Sequence, residues 1–290
     1  MSMRTAGDLC AFTVFDETAY GTTATATGEH AGVLQSLETP DDEQIEYDLA
    51  CGSRAIQNVL PTMNTYGWKA SFKVISGTDW HGWFTKAMGD IDGDILNDIP
   101  SFTALFRIAS DEWLEAVGSK VNSLSVTASA IGSPLEFSVD AMSKTNTFKA
   151  STTLTPVARP TSKPVTYSAL WKRNGSSIPV KSWTLSIDNS LVGDPGVGTD
   201  GIGLAAGSGS APGGAIDMTL ELTVSSTGPT WDLLKQAGTA NDTLTLAVDG
   251  YIITCTGCFM RTDYPNRSNS PYDETIAYIV KGITVEADSP

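Results

Sequence analysis

The amino-acid sequence predicts a mainly β protein built from antiparallel sandwich or barrel units with short flanking α-helices. Apolar and polar residues alternate in many short runs, which is the two-residue period of a strand with one buried face. Turn signals rich in Gly, Pro, Asn and Asp separate these runs, and only a few segments have helical spacing. With 290 residues, 41% of them hydrophobic, the chain can bury a substantial core.

Each predicted strand rests on its own alternating run. These runs cover residues 68–74, 102–108, 124–128 and 135–141 in the first half, and 183–187, 216–224, 244–248, 251–255, 276–280 and 283–285 in the second. Two pairs of neighbouring runs predict hairpins. The first turns at residues 131–134, and the second turns at Asp249–Gly250, where an Asp-Gly pair between alternating runs is a strong local hairpin signal.

Helical patterns are few and short. Residues 78–88 place apolar side chains at helical spacing and end at Gly89, and residues 229–237 open with a proline and end before Gly238. A third short helix is predicted around residues 111–117.

The two longer helix predictions also suggest an internal repeat, because each follows a long alternating strand and ends at a glycine. Markers in the two halves lie 147, 148 and 149 residues apart: Val33 and Val180, Ser71 and Thr219, Gly89 and Gly238. Such a period predicts a duplicated unit. We place the first unit, with an N-terminal extension, at residues 1–160 and the second at 161–290, because the proline-rich stretch 152–164 disfavours both helix and sheet interior.

Charge excludes some classes of function. The chain has 18 Lys plus Arg against 33 Asp plus Glu, a formal net charge of -15. Adhesion to nucleic acid is therefore not expected, since it depends on neutralising phosphates with basic side chains. An acidic wall would let a polyanion slide past, although acidity also simply favours solubility. No apolar run is long enough for a membrane helix, and the N-terminus lacks a signal peptide pattern, so we expect synthesis in the cytoplasm without membrane insertion.

No motif predicts an active site. The spacing Cys255-Thr-Gly-Cys258 lacks the second ligand pair of a zinc site and predicts a reduced structural pair. Residues 196–201 match GxGxxG without the strand and helix that give this motif its meaning. Asp90–Asp94 lacks the glutamate of a calcium loop, and the two histidines, His30 and His81, have no triad partners. We expect no enzyme, cofactor or metal ion.

Residues 193–214 differ from the rest of the chain, because nine of the 22 are glycine. Such a composition does not order itself but can fold on a partner. We therefore predict a contact between subunits or rings here. The candidate contact residues are Gly193, Asp194, Gly196, Gly198, Gly201, Gly203, Gly207, Gly209, Gly213 and Gly214.

The order of these elements resembles the tail-tube proteins, also called major tail proteins, of long-tailed, siphovirus-like phages and related archaeal viruses. The resemblance is clearest for the strand at 180–189, the glycine-rich excursion, the strand at 216–224 with its short helix, the strand at 244–250, and the closing strands at 275–285. The first half shows the pattern more weakly, through residues 52–54 and 68–89. The acidic N-terminal region up to Glu46 does not map onto the family.

The resemblance implies a β-sandwich whose copies join edge to edge into a ring around a lumen. Rings stack into a tube through which viral DNA passes without specific binding, and other tail proteins cap the tube ends. Single-unit members form sixfold rings, so a duplicated chain would give a pseudo-sixfold ring of three copies. The alternative is a hexamer in which one half builds the tube and the other decorates it. The rival classes are an acidic β-sandwich adhesin or virion-surface decoration protein, and a glycan-processing β enzyme with paired carboxylates on adjacent strand ends.

Overall fold

The computed structural model is mainly β, as the sequence predicts, with 65% of the residues that it describes in strands and 4% in helix. It describes residues 11–22, 27–39, 42–49, 56–75, 80–89, 99–109, 111–158, 160–168, 170–191, 193–194, 203–204, 216–225, 242–260 and 273–288. All strand pairings in these residues are antiparallel. The predicted mainly β, antiparallel fold class is therefore confirmed.

The elements follow one another in chain order. The first half contains β1 (Phe12–Asp16), β2 (Glu29–His30), β3 (Val33–Glu38), β4 (Asp42–Leu49), β5 (Ile56–Lys73), α1 (Gly82–Met88), β6 (Phe102–Ala109), β7 (Glu112–Ala128), β8 (Glu136–Ser143) and β9 (Thr145–Lys149). The second half contains β10 (Trp171–Arg173), β11 (Ser176–Ile178), β12 (Val180–Asp188), β13 (Gly193–Asp194), β14 (Gly203–Leu204), β15 (Asp217–Ser225), β16 (Asp242–Val248), β17 (Tyr251–Met260), β18 (Asp273–Ile279) and β19 (Gly282–Ala287).

Both predicted hairpins form. Val126 of β7 pairs with Phe137 of β8, and Val248 of β16 pairs with Tyr251 of β17. The turn between β16 and β17 has positive φ at both Asp249 and Gly250. Two successive positive φ values give the turn a twist that matches the twist of the flanking strands.

The helix predictions have three different outcomes. Helix α1 lies inside the predicted range 78–88 and ends at Gly89, whose positive φ lets its N–H donate to Thr85 O at 2.7 Å. The helix predicted around 111–117 is wrong, because these residues enter β7 and pair with both β6 and β9. Pairing on two edges outweighs a weak local helical pattern. The helix predicted at 229–237 lies outside the described residues.

The strands fall into two sets that pair in the same order. In the first strand set the pairings are β1–β2, β1–β6, β6–β7, β7–β9, β7–β8, β8–β5 and β5–β3. In the second strand set they are β10–β11, β10–β16, β16–β17, β17–β19, β17–β18, β18–β15 and β15–β12. Each strand of the first set therefore has one counterpart in the second. The described strands β4, β13 and β14 lie outside this correspondence.

The correspondence extends to irregularities in the strands. Gly118 in β7 and Gly257 in β17 both have positive φ, 68° and 61°, at a register shift against the preceding strand. The residue before each glycine accepts a backbone hydrogen bond from a lysine, Lys144 in the first set and Lys281 in the second, at 3.0 and 3.1 Å. The same bulge therefore occurs in both strand sets, although the residues around it differ.

The register of the repeat differs from the predicted one. A bulge separates Leu34 from Ser36 in β3, and an equivalent bulge separates Val180 from Ser182 in β12. The counterpart of Val180 is therefore Leu34, whereas the sequence markers matched it to Val33. In the same way the pairing between β15 and β18 makes Thr223 the counterpart of Ser71 in place of Thr219: Ser71 pairs with Ser138, and Thr223 pairs with Thr275. Gly238 lies outside the described residues, and the division at residues 160 and 161 stays a prediction.

The two sets meet in one long sheet. β12 of the second set pairs with the C-terminal part of β7 as well as with β15. This gives a main sheet with the strand order β3, β5, β8, β7, β12, β15, β18, β17. One face of the main sheet packs into a hydrophobic core that contains residues of both sets.

Candidate functional site

The pairing of β7 with β12, called the joint below, connects the two strand sets. It runs over residues 123–128 and 183–188. Trp183 is buried there, and the Asn189 side-chain amide donates to Val121 O and Ala87 O, both at 2.8 Å. Leu191 N donates to the Asn122 side chain at 2.8 Å. The joint is therefore a hydrogen-bonded edge contact with a buried aromatic anchor.

The first end of the main sheet is β3, which among the described residues pairs with β5 alone. Its counterpart β12 has neighbours on both edges, because it also pairs with β7. The difference changes burial: Val180 and Trp183 of β12 are buried, whereas their counterparts Leu34 and Leu37 in β3 are only half-buried. β3 thus presents the same edge that β12 uses in the joint.

The other end of the main sheet carries an exposed apolar pair. Phe259 of β17 pairs with Ile279 of β18, and the two side chains are 43% and 47% exposed. Their counterparts in the first set, Lys120 and Met142, are covered or half-covered, and the Lys120 ammonium lies 5.4 Å from the centre of the Tyr20 ring. Apolar side chains exposed at the end of a sheet are typical of a contact surface.

The face of the main sheet opposite the core is polar over most of its width and becomes apolar at the β17–β18 end, where Phe259 and Ile279 lie. We call it the polar face. Rows of hydroxyl groups lie on it, and several contact each other between strands. These pairs are Ser36 with Ser71 at 2.6 Å, Ser125 with Ser186 at 3.4 Å, Thr127 with Thr184 at 3.4 Å and Thr223 with Thr275 at 3.2 Å. Hydroxyl groups that hydrogen-bond along a sheet give a hydrated surface without strong charge.

Charges on the polar face are mostly paired, with an acidic excess. Its three lysines each contact a carboxylate: Lys69 with Asp140 at 2.7 Å, Lys73 with Glu136 at 3.5 Å, and Lys181 with Asp273. The hydrogen bond that Lys69 donates to Asp140 is the main reason that the pKa of Lys69 is raised. Four further carboxylates follow the same alternation onto this face: Glu38, Asp188, Asp217 and Glu221. The polar face is therefore net negative.

The core of the second strand set contains a buried ion pair. The Arg173 guanidinium lies 3.0 Å from the Asp242 carboxylate, with side chains 13% and 9% exposed. Asn174 donates to the same carboxylate at 2.9 Å, and its side-chain oxygen accepts from Thr243 N at 2.9 Å. Every partner in this network is a strand or turn residue, which indicates a structural role.

The predicted glycine-rich contact segment is described only in part. Gly193 pairs with Leu204 and Asp194 pairs with Gly203, forming the short ladder of β13 and β14. The other candidate contact residues, Gly196, Gly198, Gly201, Gly207, Gly209, Gly213 and Gly214, lie outside the described residues. The segment connects β12 to β15, so it begins beside the joint at Asn189.

Where the structure describes the motifs considered for chemistry, their side chains pack against other residues of the fold. Cys255 and Cys258 are buried free thiols, and Cys258 Sγ donates to Cys255 O at 3.4 Å. Burial raises the pKa of Cys258 to about 12 and that of Cys255 well above its usual value, so both stay protonated. His81 stacks on Tyr251 with ring centres 4.4 Å apart. The described part of the chain has no cluster of three potential metal ligands. Residues 90–94 and 196–201 lie outside it.

Two features were not predicted from the sequence. One is the joint, and the other is the extension of β5 beyond β8, where residues 56–65 pair with β4. The alternation at Ile45, Tyr47 and Leu49 is the one signal that could have indicated the second.

Comparison with models of known protein families and with curated protein sequences finds no match to this chain. The described residues also include no helix long and apolar enough to cross a membrane.

Proposed function

We propose that this chain is a structural subunit that joins copies of itself into a ring, and that stacked rings form the tail tube of a long-tailed virus. The joint is the observation that carries the proposal. It shows how the second strand set attaches to the first, and β3 presents the equivalent edge for another copy. A chain built from two equivalent units with one joint satisfied internally is suited to repeat that joint with its neighbours.

Ring closure would also resolve the edges of the main sheet. A long exposed strand edge invites uncontrolled pairing, and closing the sheet on itself removes it. Each copy contributes eight strands, so three copies give a barrel of 24 strands. With strands about 4.8 Å apart and tilted by about 40°, such a barrel has a backbone diameter of about 48 Å. The bore would admit a DNA duplex.

The polar face fits the inside of such a tube. Its hydroxyl rows hold water, and its lysines are engaged by carboxylates. A weakly acidic, hydrated wall repels DNA slightly and offers it no basic binding site. The hydrophobic core then lies outside the barrel, between the main sheet and the outer strands of each set.

Edge variants combined with native mass spectrometry test this proposal. Leu37→Glu places a charge on the half-buried β3 edge and should leave a folded monomer that forms no rings. The matched control is Phe148→Glu, which adds the same charge at a 50% exposed position on β9, away from the main sheet. The control should assemble normally.

Wild-type rings should contain three chains and should appear as tubes in electron micrographs at high protein concentration. Six chains per ring would contradict the duplicated arrangement. Monodisperse monomers at all concentrations would contradict self-assembly altogether.

A second test addresses the glycine-rich segment, for which we propose a contact between copies. Deleting residues 194–213 should leave a soluble, folded monomer that no longer polymerises. Tubes of normal length formed by this variant would contradict the assignment.

A further inference from the structure

The turn between β10 and β11 contains the only asparagine of the sequence that is followed by glycine, Asn174 before Gly175. Both residues are exposed and have positive φ, 46° and 85°. This pair is preferred in two-residue hairpin turns, because Asn and Gly both tolerate positive φ. It is also the pair in which an asparagine loses its amide most easily, since glycine has no side chain that obstructs attack on the neighbouring carboxamide.

The loss of the amide needs water and no catalyst. The Gly175 backbone nitrogen forms a bond to Asn174 Cγ, the bond from Cγ to Nδ2 breaks, and ammonia leaves with the proton of the attacking nitrogen. Water then opens the resulting succinimide ring at one of its two carbonyl carbons. One opening gives aspartate and the other gives isoaspartate, in which the main chain runs through the side-chain carbon atoms. Because the turn is exposed, water reaches it for the hydrolysis step.

Three hydrogen bonds to β16 oppose this reaction in the folded chain. Asn174 Nδ2 donates to Asp242 Oδ1, Asn174 Oδ1 accepts from Thr243 N, and Asn174 N donates to Thr243 O, each at 2.9 Å. The two side-chain hydrogen bonds hold the carboxamide against β16, whereas the attack requires Cγ to turn toward the Gly175 nitrogen. The amide is therefore protected for as long as the turn stays bonded to β16.

The hairpin formed by β10 and β11 is an edge element of the second strand set. β10 pairs with β16 at two residue pairs, and among the described residues β11 pairs with β10 alone. An edge element held in this way opens at a lower free-energy cost than the whole fold. Each opening frees the Asn174 carboxamide, so the frequency of opening determines how fast the amide is lost.

A carboxylate at position 174 does not fit the closed turn. The amide nitrogen of Asn174 donates to Asp242, which is 6% exposed and is also paired with Arg173 at 3.0 Å. Deamidation replaces this donor with an acceptor and places a second negative charge beside a buried one, which is unfavourable. Isoaspartate also adds a main-chain carbon to a two-residue turn. The hairpin should then close less well, and refolding does not reverse the change.

At the equivalent position the first strand set has a different residue. The counterpart of Asn174 is Phe15, which pairs with Thr103. Phe15 is 2% exposed and packs in a cluster with Leu154. We propose that Asn174 is a deamidation site of the second strand set, that it is protected while its turn is bonded to β16, and that the product keeps the β10–β11 hairpin detached. The proposal concerns the single folded chain and does not depend on assembly of copies.

Mass spectrometry of peptides from the full-length chain measures amide loss at each asparagine during incubation in mildly alkaline buffer, with and without urea. In urea, Asn174 should lose its amide at least tenfold faster than Asn122 and Asn189, which are both followed by serine. Gly175→Ala should remove this excess, because the added side chain obstructs the attack. In native buffer the wild-type rate at Asn174 should be at least tenfold lower than in urea. Equal rates in the two buffers would overturn protection by the fold, and equal rates at the three asparagines in urea would overturn the site itself.

Asn174→Asp tests the effect of the product. Hydrogen exchange at the backbone amide of residue 174, which bonds to Thr243 O in the wild type, should be at least tenfold faster in this variant. The matched control is Ser177→Asp, which adds the same charge at an exposed position of the same hairpin and should exchange as the wild type does. Wild type aged until part of Asn174 is converted gives the same comparison within one folded sample. Equal exchange in converted and unconverted chains, or in the two variants, would overturn detachment of the hairpin.

Discussion

The two strand sets share their pairings but differ in the chemistry of their cores. The first is packed with aromatic rings: Phe12 stacks on Phe106 at 4.5 Å, and Trp68 contacts both Phe102 and Phe106. At the position of Phe102 the second set has Asp242, which forms a buried ion pair. The same topology is thus compatible with an aromatic core and with a partly ionic one. Alternation, bulges and edge pairing determine the topology, while the identity of individual core residues does not.

Removing one partner of the ion pair should have the largest effect on the second strand set. Asp242→Ala leaves the Arg173 guanidinium buried without its carboxylate, so it should lower the free energy of unfolding by about 3–5 kcal/mol. The double variant Arg173→Met with Asp242→Leu removes both charges and should recover most of this loss. Urea denaturation at pH 7 measures both.

The aromatic counterpart gives the control. Phe102→Ala should lower the free energy of unfolding by about 3–5 kcal/mol, because it leaves a cavity. Phe102 has no charged partner, so no second substitution that removes a charge should recover this loss. If Asp242→Ala cost less than about 1 kcal/mol, the ion pair would not stabilise the second set.

The shared bulge offers a second comparison. Gly118 and Gly257 have positive φ, and an added Cβ would lie 2.7 Å from the Cβ of Lys144 or Lys281. Each Gly→Ala variant should lose about 2 kcal/mol or more from backbone strain and this contact. Gly118→Ala should lose more, because its new Cβ also meets the Gly21 backbone at 3.2 Å.

Gly132 supplies the control for the bulge, since its φ is also positive but an added Cβ meets nothing within 4 Å. Gly132→Ala should show the backbone cost alone, about 1–2 kcal/mol. The urea midpoint should therefore be highest for Gly132→Ala, lower for Gly257→Ala and lowest for Gly118→Ala. A smaller loss at Gly118 than at Gly132 would contradict the close packing at the bulge.

The strands could be predicted from the sequence because each has one buried face, so a local two-residue period survives in runs such as 68–74 and 244–248. The hairpin at Asp249 and Gly250 was predictable for the same local reason. The register of the repeat was not, because connections of unequal length shift the offset between the halves from strand to strand, for example from Leu34 and Val180 to Ser71 and Thr223. The joint depends on pairing between distant strands, which leaves no local signal in β7 or β12.

Alkaline pH should have a smaller effect on the free energy of unfolding, and this effect should come from the second strand set. Burial raises the pKa of Cys255, Cys258 and Tyr278 in the second set, and the value for Cys258 is about 12. A thiol that stays protonated when folded but ionises above about pH 9 when unfolded stabilises the protein fully below pH 9 and loses that contribution as pH rises toward 12. The loss reaches about 1.4 kcal/mol per pH unit for each such group.

The counterparts of the two cysteines in the first set are Ala116 and Ser119, which do not ionise in this range. Cys255→Ala with Cys258→Ser therefore makes the second set resemble the first and should flatten the decline of urea midpoints between pH 9 and 11. Parallel declines in the wild type and the variant would show that the thiols are not responsible.

The smallest effect is expected where the two sets contribute to the proposed lumen. On the polar face the first set has two lysines against three carboxylates, whereas the second has one lysine against four. Assembled wild-type tubes should retain no duplex DNA in band-shift assays at low salt, because the wall offers no unpaired basic cluster. Asp217→Lys with Glu221→Lys should create weak retention of linear duplex that disappears as salt rises, since the binding would come from counterion release. Closed circular DNA provides the control, because it cannot thread a tube and reports only binding to the outside. Retention of linear DNA by wild-type tubes that fell steeply with salt would contradict an acidic lumen, and equal retention of circular DNA by the variant would place the two substituted residues on the outer surface.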